Sequence, residues 1–561
     1  MTNRERISSV DTAWLRMDRP TNLMMIVGVM IFDGRVDYER LKQVIEARFL
    51  RFRRFRQKAV EETTGYAWAE DEYFDLDSHL QRTALPGKGG KAELEKLAAE
   101  LISSPLDPNK PLWHFQLVEN YDGGSALIVR IHHCIADGIA LIGVLLSMTD
   151  ERPDAPVQTT GGAAEEPAAP SEEPDNFWRQ ILQPVTDTVI EAINTAGSVW
   201  SKSMSLVDDP AQITDYVRIG KAVAAEVAQL ALMPNDSSTR FKGKPGVIKR
   251  VAWSEPMPLA EIKAVGKALG CSVNDILLSS VAGALRSYLL EKGDNVAAVE
   301  IRALVPVNLR PAGQEHKLGN RFGLVALSLP VGVENPVARL YEVRRRMEEL
   351  KDSYQAALTL GILGLVGLCP KPVQTQILDI LAAKATAVMT NVPGPQKTLY
   401  LAGGKLVQQM FWVPQSGDIG MGVSILSYDG KVQFGLVADR KFVPDPQAIV
   451  ARFQAEFEKV LLVVMMEPWD TRRDPHLIEE ELAVTQGLKK PGRKVSAGTA
   501  GRRAAAGSRS GPSAKAKATR ARPARTEKAT AAPDTDNAPA PPPALDAETA
   551  DKPVRIPKRF R

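Results

Sequence analysis

The chain alternates between two hydrophobic periods. "LMMIVGVMIF" (23–32) is a continuous apolar run of strand length, whereas "YERLKQVIEARF" (38–49) spaces its apolar residues as a helix does. A second helix is predicted over "KAELEKLAAELI" (91–102). Two strands follow, "LWHFQLVE" (112–119) and "SALIVRIHH" (125–133), joined by the hairpin signal "NYDGG". A helix, "GIALIGVLLSMT" (138–149), then starts directly after Asp137. Both periods stop in residues 151–175, an acidic Pro/Ala-rich stretch that reads as a disordered linker. Long helical patterns occupy about 176–204 and 208–233. The alternation then resumes with "GVIKRVAWSE" (246–255), helices at about 257–269 and 273–292, and strands in "VEIRALVPVNL" (299–309) and "FGLVALSLPV" (322–331). A hairpin around "YDGK" (428–431) and the helix "PQAIVARFQAEFEKVLLVVMM" (446–466) close it. The pattern predicts an α/β protein of two halves, 1–150 and 241–470, joined by a helical connector over 176–240.

Composition changes this picture mainly at the end of the chain. Residues 489–561 are rich in Ala, Pro, Lys and Arg, cannot bury enough apolar surface to offset their ordering entropy, and are expected to be disordered. They hold 18 Lys and Arg against 6 Asp and Glu, about +12; with +4 for the whole chain, the preceding residues carry about −8. An acidic body thus carries a basic tail. Three readings fit that tail: adhesion to an anionic membrane or lipid droplet, contact with nucleic acid, and solubilising filler.

Cys134, Cys271 and Cys369 are sparse, odd in number and far apart, which argues for a reducing compartment and against disulfides. No CxxC pair is present, so a zinc site is not expected. The opening "MTNRERISSVDTAWL" lacks the apolar core of a signal peptide. The apolar runs at 357–369 and 460–466 fall short of the roughly 20 residues that span a bilayer. A cytoplasmic protein resting on the inner membrane or on lipid bodies is the expectation.

"VRIHHCIADGIAL" (129–141) carries the candidate chemistry. Imidazole titrates near neutral pH and suits a proton acceptor. Strand alternation puts His133 on the apolar face of Leu127, Val129 and Ile131, with His132 on the other. A base at a dry edge is favoured in its neutral form. Asp137 can orient a ring or pair with an arginine, and Gly138 permits a backbone conformation that a Cβ would disfavour. The residues alone leave three readings open: a base, a polar strand end, or half of a metal site whose remaining ligands are not apparent. His132 and Asp137 also form the H-x4-D of membrane glycerol-phosphate acyltransferases, which lack a two-halved layout.

Several segments together resemble one family. They are "SSVDTAWLRMDRP" (8–20), "PLDPNKPLW" (105–113), "HHCIADG" (132–138), "SVNDILLSSVAGALRSYL" (272–289), "VPVNLRP" (305–311), "LGNRFG" (318–323), "TNVPGP" (390–395) and "SYDGKVQFGLVAD" (427–439). The chain resembles the bacterial wax ester synthase/acyl-CoA:diacylglycerol acyltransferase family, itself similar to chloramphenicol acetyltransferase. One departure is Met25, where the family often has a histidine.

The resemblance implies two chloramphenicol-acetyltransferase-like halves with His133 in a channel between them. His133 would be the general base for long-chain acyl transfer from acyl-CoA, a co-substrate, to diacylglycerol or a fatty alcohol, with no other cofactor. The absence of a GxSxG elbow agrees with direct transfer. His132, Asp137, Gly138 and Arg310 would hold the setting, with Arg310 the candidate partner of Asp137. Asn274 would support the oxyanion or, on the bland reading, cap its helix, and Asp275 would brace that helix. Pro111, Leu112 and Trp113 would shape the substrate channel. The run at 357–369 is either a core helix or a wall of the acyl tunnel or a surface that touches lipid. A thiol mechanism at Cys134 would need a lowered pKa. The rivals are a non-catalytic lipid-binding protein of the same fold and a condensation-type enzyme sharing HHxxxDG.

Overall fold

The computed structural model describes residues 4–62, 65–157, 234–310, 318–351, 355–366 and 371–466. They lie in one compact unit, Met1–Pro491. Most of the linker 151–175, the connector 176–240 up to its last seven residues, and the tail 489–561 are outside the described residues.

In chain order the first half holds β1 (Glu5–Arg6), α1 (Ser9–Met17), β2 (Met25–Asp33), α2 (Tyr38–Val44), β3 (Gln57–Glu62), β4 (Gly65–Glu70), β5 (Leu80–Thr83), α3 (Lys91–Ile102), β6 (Trp113–Tyr121), β7 (Gly124–His132) and α4 (Gly138–Ser147). The second half holds β8 (Lys249–Trp253), β9 (Met257–Pro258), α5 (Leu259–Leu269), α6 (Val273–Glu291), β10 (Ile301–Asn308), β11 (Phe322–Leu329), α7 (Pro336–Lys351), α8 (Gln355–Val366) and α9 (Lys371–Ala382). Then come β12 (Ala387–Pro393), β13 (Tyr400–Leu401), β14 (Gly404–Trp412), β15 (Met421–Tyr428), β16 (Lys431–Asp439) and α10 (Pro446–Met466). The helix expected over 38–49 is α2 followed by a widened π turn, Ile45–Phe49, which keeps both Ile45 and Phe49 buried.

Two large sheets carry the site. One runs β13-β14-β2-β7-β6-β5 and the other β11-β10-β12-β15-β16-β8, with β9 added beside β16. In β7 every position is buried, because it is a central strand covered on both faces, so its sequence runs apolar from Ala126 to Val129 and does not alternate with solvent-facing positions, Arg130 and His132 being buried too. The two Asp-Gly hairpins fold as such: Asp122 and Gly123 have φ of 46° and 78°, Asp429 and Gly430 of 46° and 71°.

The first sheet is completed by the second half. Strand β14 lies antiparallel to β2, from Lys405 opposite Asp33 to Trp412 opposite Val27. The next strand, β15, returns to the second sheet between β12 and β16. The hydrophobic pattern predicts neither β13 nor β14.

Helix α8 packs against β11, and Thr359 Oγ1 donates to Leu324 O at 2.8 Å. Leu360, Ile362 and Val366 are buried. No described residue of the apolar run lines the site cavity, which removes the tunnel-wall reading for them. Among the described residues no single helix is long and apolar enough to cross a membrane; α5 and α6 pass jointly but bend by 100°.

The helices of the second half are pinned by a buried ion pair, Arg339 Nη2 to Glu456 Oε2, with side chains 2% and 3% exposed. Gly283 of α6 makes room for it, since a Cβ there would meet Glu456 Oε2 at 2.3 Å. Arg339 also donates to Ser279 O at 3.3 Å, joining α6, α7 and α10. Glu456 keeps Lys459 Nζ and Ser287 Oγ on its other oxygen, so Arg339→Ala removes one of two cations and is expected to lower unfolding free energy by about 1.5–3 kcal/mol, read from the guanidinium midpoint.

Candidate active site

Strand β7 ends at His132, and the next residue keeps the strand's phase. Val129, Ile131 and His133 therefore face one cavity, enclosing about 1280 Å³ including its open mouth. Its walls come from both sheets: Ile26 and Phe411 from the first, Leu304, Thr390, Asn391 and Ser424 from the second, with α4 between them. Trp14 stacks on the imidazole, ring centroids 4.1 Å apart and planes at 19°, and Phe322 stands 5.4 Å away.

The backbone on either side of the ring is fixed. His133 N donates to Met24 O at 2.7 Å, and His133 O accepts from Asn320 Nδ2 at 2.7 Å. The same Asn320 amide donates to Asp11 Oδ1 at 2.7 Å. His133 Nδ1 has no hydrogen-bond partner among the described residues. Burial pushes the imidazole down to about 4, although the charge of Asp137 opposes the shift. The ring is therefore neutral at cellular pH.

His132 faces away and is occupied. Its Nδ1 accepts from Cys134 N at 3.2 Å, leaving Nε2 to carry the proton, 3.5 Å from Asp18 Oδ2. Burial raises the Cys134 thiol well above its ordinary value, which removes it as a nucleophile.

Asp137 does three things at once. Its Oδ1 accepts from Ala140 N at 3.1 Å, capping α4, and its Oδ2 accepts from Arg310 Nη2 at 2.7 Å and from Arg321 N at 3.0 Å. Side chains of the ion pair are 5% and 1% exposed. Gly319 N and O meet Ile135 O and Asp137 N, so residues 318–321 are laced to the HHCIADG turn.

Three sequence expectations change here. Gly138 is not a left-handed residue, and a Cβ on it would meet nothing within 4 Å. It lines the cavity, so its missing side chain leaves room beside His133 rather than relieving backbone strain. Pro111, Leu112 and Trp113 are buried outside the cavity lining. Trp113 packs in the core against Phe49, Phe55 and Phe115, and its Nε1 donates to Phe55 O at 2.8 Å. Asn274 is neither a cap nor a wall residue: Ser272 caps α6 with Asp275 returning the bond, Ser272 N to Asp275 Oδ2 at 2.8 Å. Asn274 Oδ1 instead accepts from Nδ2 of Asn391, which does line the cavity, at 2.7 Å.

Trp14, Asn320 and Asn391 are site residues that inspection of HHCIADG alone does not find. Each lay inside a quoted motif, "DTAWL", "LGNRFG" or "TNVPGP", which was the available signal. Among the described residues no group of three or more His, Cys, Asp or Glu is placed to hold a metal ion.

The buried histidines set a pH dependence. His114, on β6 opposite Arg130, is also pushed down to about 4, by burial first and then by the Arg130 charge. Both rings titrate near 6.5 when unfolded, so between pH 6.5 and about 4 the unfolded chain binds more protons and stability falls as the pH is lowered. Asp11, raised to about 6 by burial, opposes this by taking its proton in the folded state. His114→Leu is expected to flatten the fall, measured as urea midpoints between pH 7 and 5.

Comparison with known proteins agrees with this arrangement. Residues 7–277 match the wax ester synthase/diacylglycerol acyltransferase catalytic domain, and residues 318–460 match the C-terminal domain of the same family. A probable diacylglycerol O-acyltransferase of Mycobacterium tuberculosis is 28% identical over 383 residues, spanning 67% of this chain and 77% of that one. Another from that organism, a putative one, is 28% identical over 449 residues, spanning 78% and 87%. The solved wax ester synthase/diacylglycerol acyltransferase from Marinobacter aquaeolei VT8 superposes with a TM-score of 0.58 at 21% identity, over 82% of this chain and 100% of that chain. The first condensation domain of the CDA synthetase gives 0.51 at 12% identity, over 82% and 96%. The shared fold is the two-halved chloramphenicol-acetyltransferase-like one. The chain belongs to the wax ester synthase/diacylglycerol acyltransferase family.

Proposed function

We propose that this enzyme moves a long-chain acyl group from acyl-CoA to the hydroxyl of a diacylglycerol or fatty alcohol, with His133 as general base. The observation that carries this reading is a neutral imidazole on the wall of an apolar cavity between two sheets, with its backbone clamped on both sides. The imidazole takes the hydroxyl proton as the oxygen attacks the thioester carbonyl. The tetrahedral intermediate collapses, the C–S bond breaks, and the imidazolium returns its proton to the CoA thiolate. The product is a triacylglycerol or a wax ester, and no acyl-enzyme forms.

Stabilisation of the oxyanion, assigned from the sequence to Asn274, passes in this reading to Asn391 on the wall, oriented by Asn274 behind it. The non-catalytic lipid-binding alternative has no observation in its favour, since binding a lipid needs no neutral base at the centre of the cavity.

The basic tail supports adhesion to an anionic membrane or lipid-body surface, and hence a peripheral cytoplasmic location. Its charge of about +12 on an acidic body is of the sign and density that anionic lipid attracts.

Two experiments test these readings. His133→Ala is expected to lower kcat by about 10²–10⁴ with unchanged circular dichroism, and His132→Ala to lower it less. Because the base must be neutral and burial holds it near 4, kcat/KM should stay flat from pH 7 to about 5 and fall only near 4, in place of the ordinary 6.5. Full turnover by His133→Ala, measured as CoA release, would reject the mechanism. Removing residues 489–561 is expected to leave turnover of dispersed substrate intact and to abolish salt-sensitive binding to phosphatidylserine vesicles, followed by co-sedimentation.

A further inference from the structure

Beside the reaction cavity lies a second, smaller one, about 380 Å³ including its open side. Five side chains are common to both walls: Ile142 and Leu145 of α4, Val392 of β12, Phe411 of β14 and Leu426 of β15. Beyond that partition the far wall includes Met30, Leu146, Leu399 and Leu406, and no charged side chain lines it. Two polar side chains, Thr149 and Gln409, also line it, and the Thr149 hydroxyl is already spent, donating to Leu146 O at 2.8 Å.

Phe411 is the one aromatic side chain in the partition, and its position has a visible cause. It lies opposite Gly28 in the β14–β2 register. A Cβ on Gly28 would come within 2.2 Å of Phe411 Cε1 and 2.4 Å of Cδ1. The ring therefore lies down over β2 in the space that the glycine leaves, between one cavity and the other.

We infer that the second cavity is the terminal subsite for an unbranched hydrocarbon chain whose reacting end lies at His133, and that Phe411, seated on Gly28, determines how long a chain is accepted. This rests on the acyl-transfer reading above. An uncharged lining excludes the phosphates of CoA and any charged headgroup, which would lose hydration without gaining a partner. Methylenes are the chemistry that such a wall selects. Each methylene lodged there improves binding about fourfold, the equivalent of about 0.8 kcal/mol. Two chains meet at the base, the acyl chain of the thioester and the alkyl chain of the acceptor, and either could thread past Phe411.

The test uses the full-length enzyme and two substrate series. In one, acyl-CoA length runs from dodecanoyl to eicosanoyl with hexadecanol fixed; in the other, alcohol length varies with palmitoyl-CoA fixed. Phe411→Ala, which joins the cavities, is expected to raise the long-to-short ratio of kcat/KM by about fifteenfold in one series, the equivalent of about two lodged methylenes. Leu146→Trp, which fills only the far cavity, is expected to lower the same ratio in the same series. The responding series identifies the chain that occupies the subsite. Should Phe411→Ala fail to fold, Leu146→Trp alone decides. Ratios that stay within about twofold of wild type in both series overturn the inference while transfer itself persists. Absence of transfer by the wild-type enzyme in every combination would instead overturn the acyl-transfer reading beneath it.

Discussion

The carboxylate of Asp137 and the guanidinium of Arg310 meet at 2.7 Å with almost no exposed side chain, and 173 residues of chain separate them. Such a pair is a poor source of net stability, because desolvating both charges costs about as much as their attraction returns. What it supplies is register. The same carboxylate starts α4 and holds Arg321 N, so the turn after β7, the start of α4 and the end of β10 are fixed to one another. A slip of any one would leave a buried charge uncompensated, at a cost of about 3–5 kcal/mol. His133 sits four residues before this junction, and its ring direction follows from it.

The junction also answers an electrostatic difficulty. A ring held neutral by burial is a ready acceptor but a weak one, and the imidazolium that forms on proton transfer is strained by the same apolar walls. Asp137 favours that charged form through space, and the side-chain amide of Asn320 favours it as well. The site is thus apolar to the resting base and partly polar to the proton it receives. Asp11, behind Asn320, keeps that amide in place while remaining largely protonated below about pH 6. Trp14, from the same helix as Asp11, closes the face of the ring by stacking.

Much of the frame was written locally. The hairpins at Asp122-Gly123 and Asp429-Gly430 follow from residues that accept positive φ, and the alternation Val129, Ile131, His133 decided which histidine faces the cavity. What escaped was written elsewhere in the chain. The β13–β14 turn uses Ala402 and Gly403, with φ of 48° and 84°, and an alanine is no turn signal. Within β14, Gln408 and Gln409 interrupt the alternation, so nothing local marks it as the partner of β2. Pro111, Leu112 and Trp113 adjoin the motif through β6, yet proximity in the sheet did not put them on its wall. Sequence cannot separate a glycine needed for its backbone from one needed for the space beside it, and Gly138 is of the second kind.

The closing of the first sheet by β14 has a bearing on how the protein is made. Until residues 404–412 have left the ribosome, β2 is an edge strand with the sequence MIVGVMIF, long, apolar and uncharged. Synthesis at 5–20 residues per second leaves that edge open for roughly 20–75 s, so the half that carries the base emerges early and waits, unsealed, for the other. Its hazard is strand addition by a neighbouring nascent chain, and an N-terminal fragment ending before β14 would keep that edge permanently.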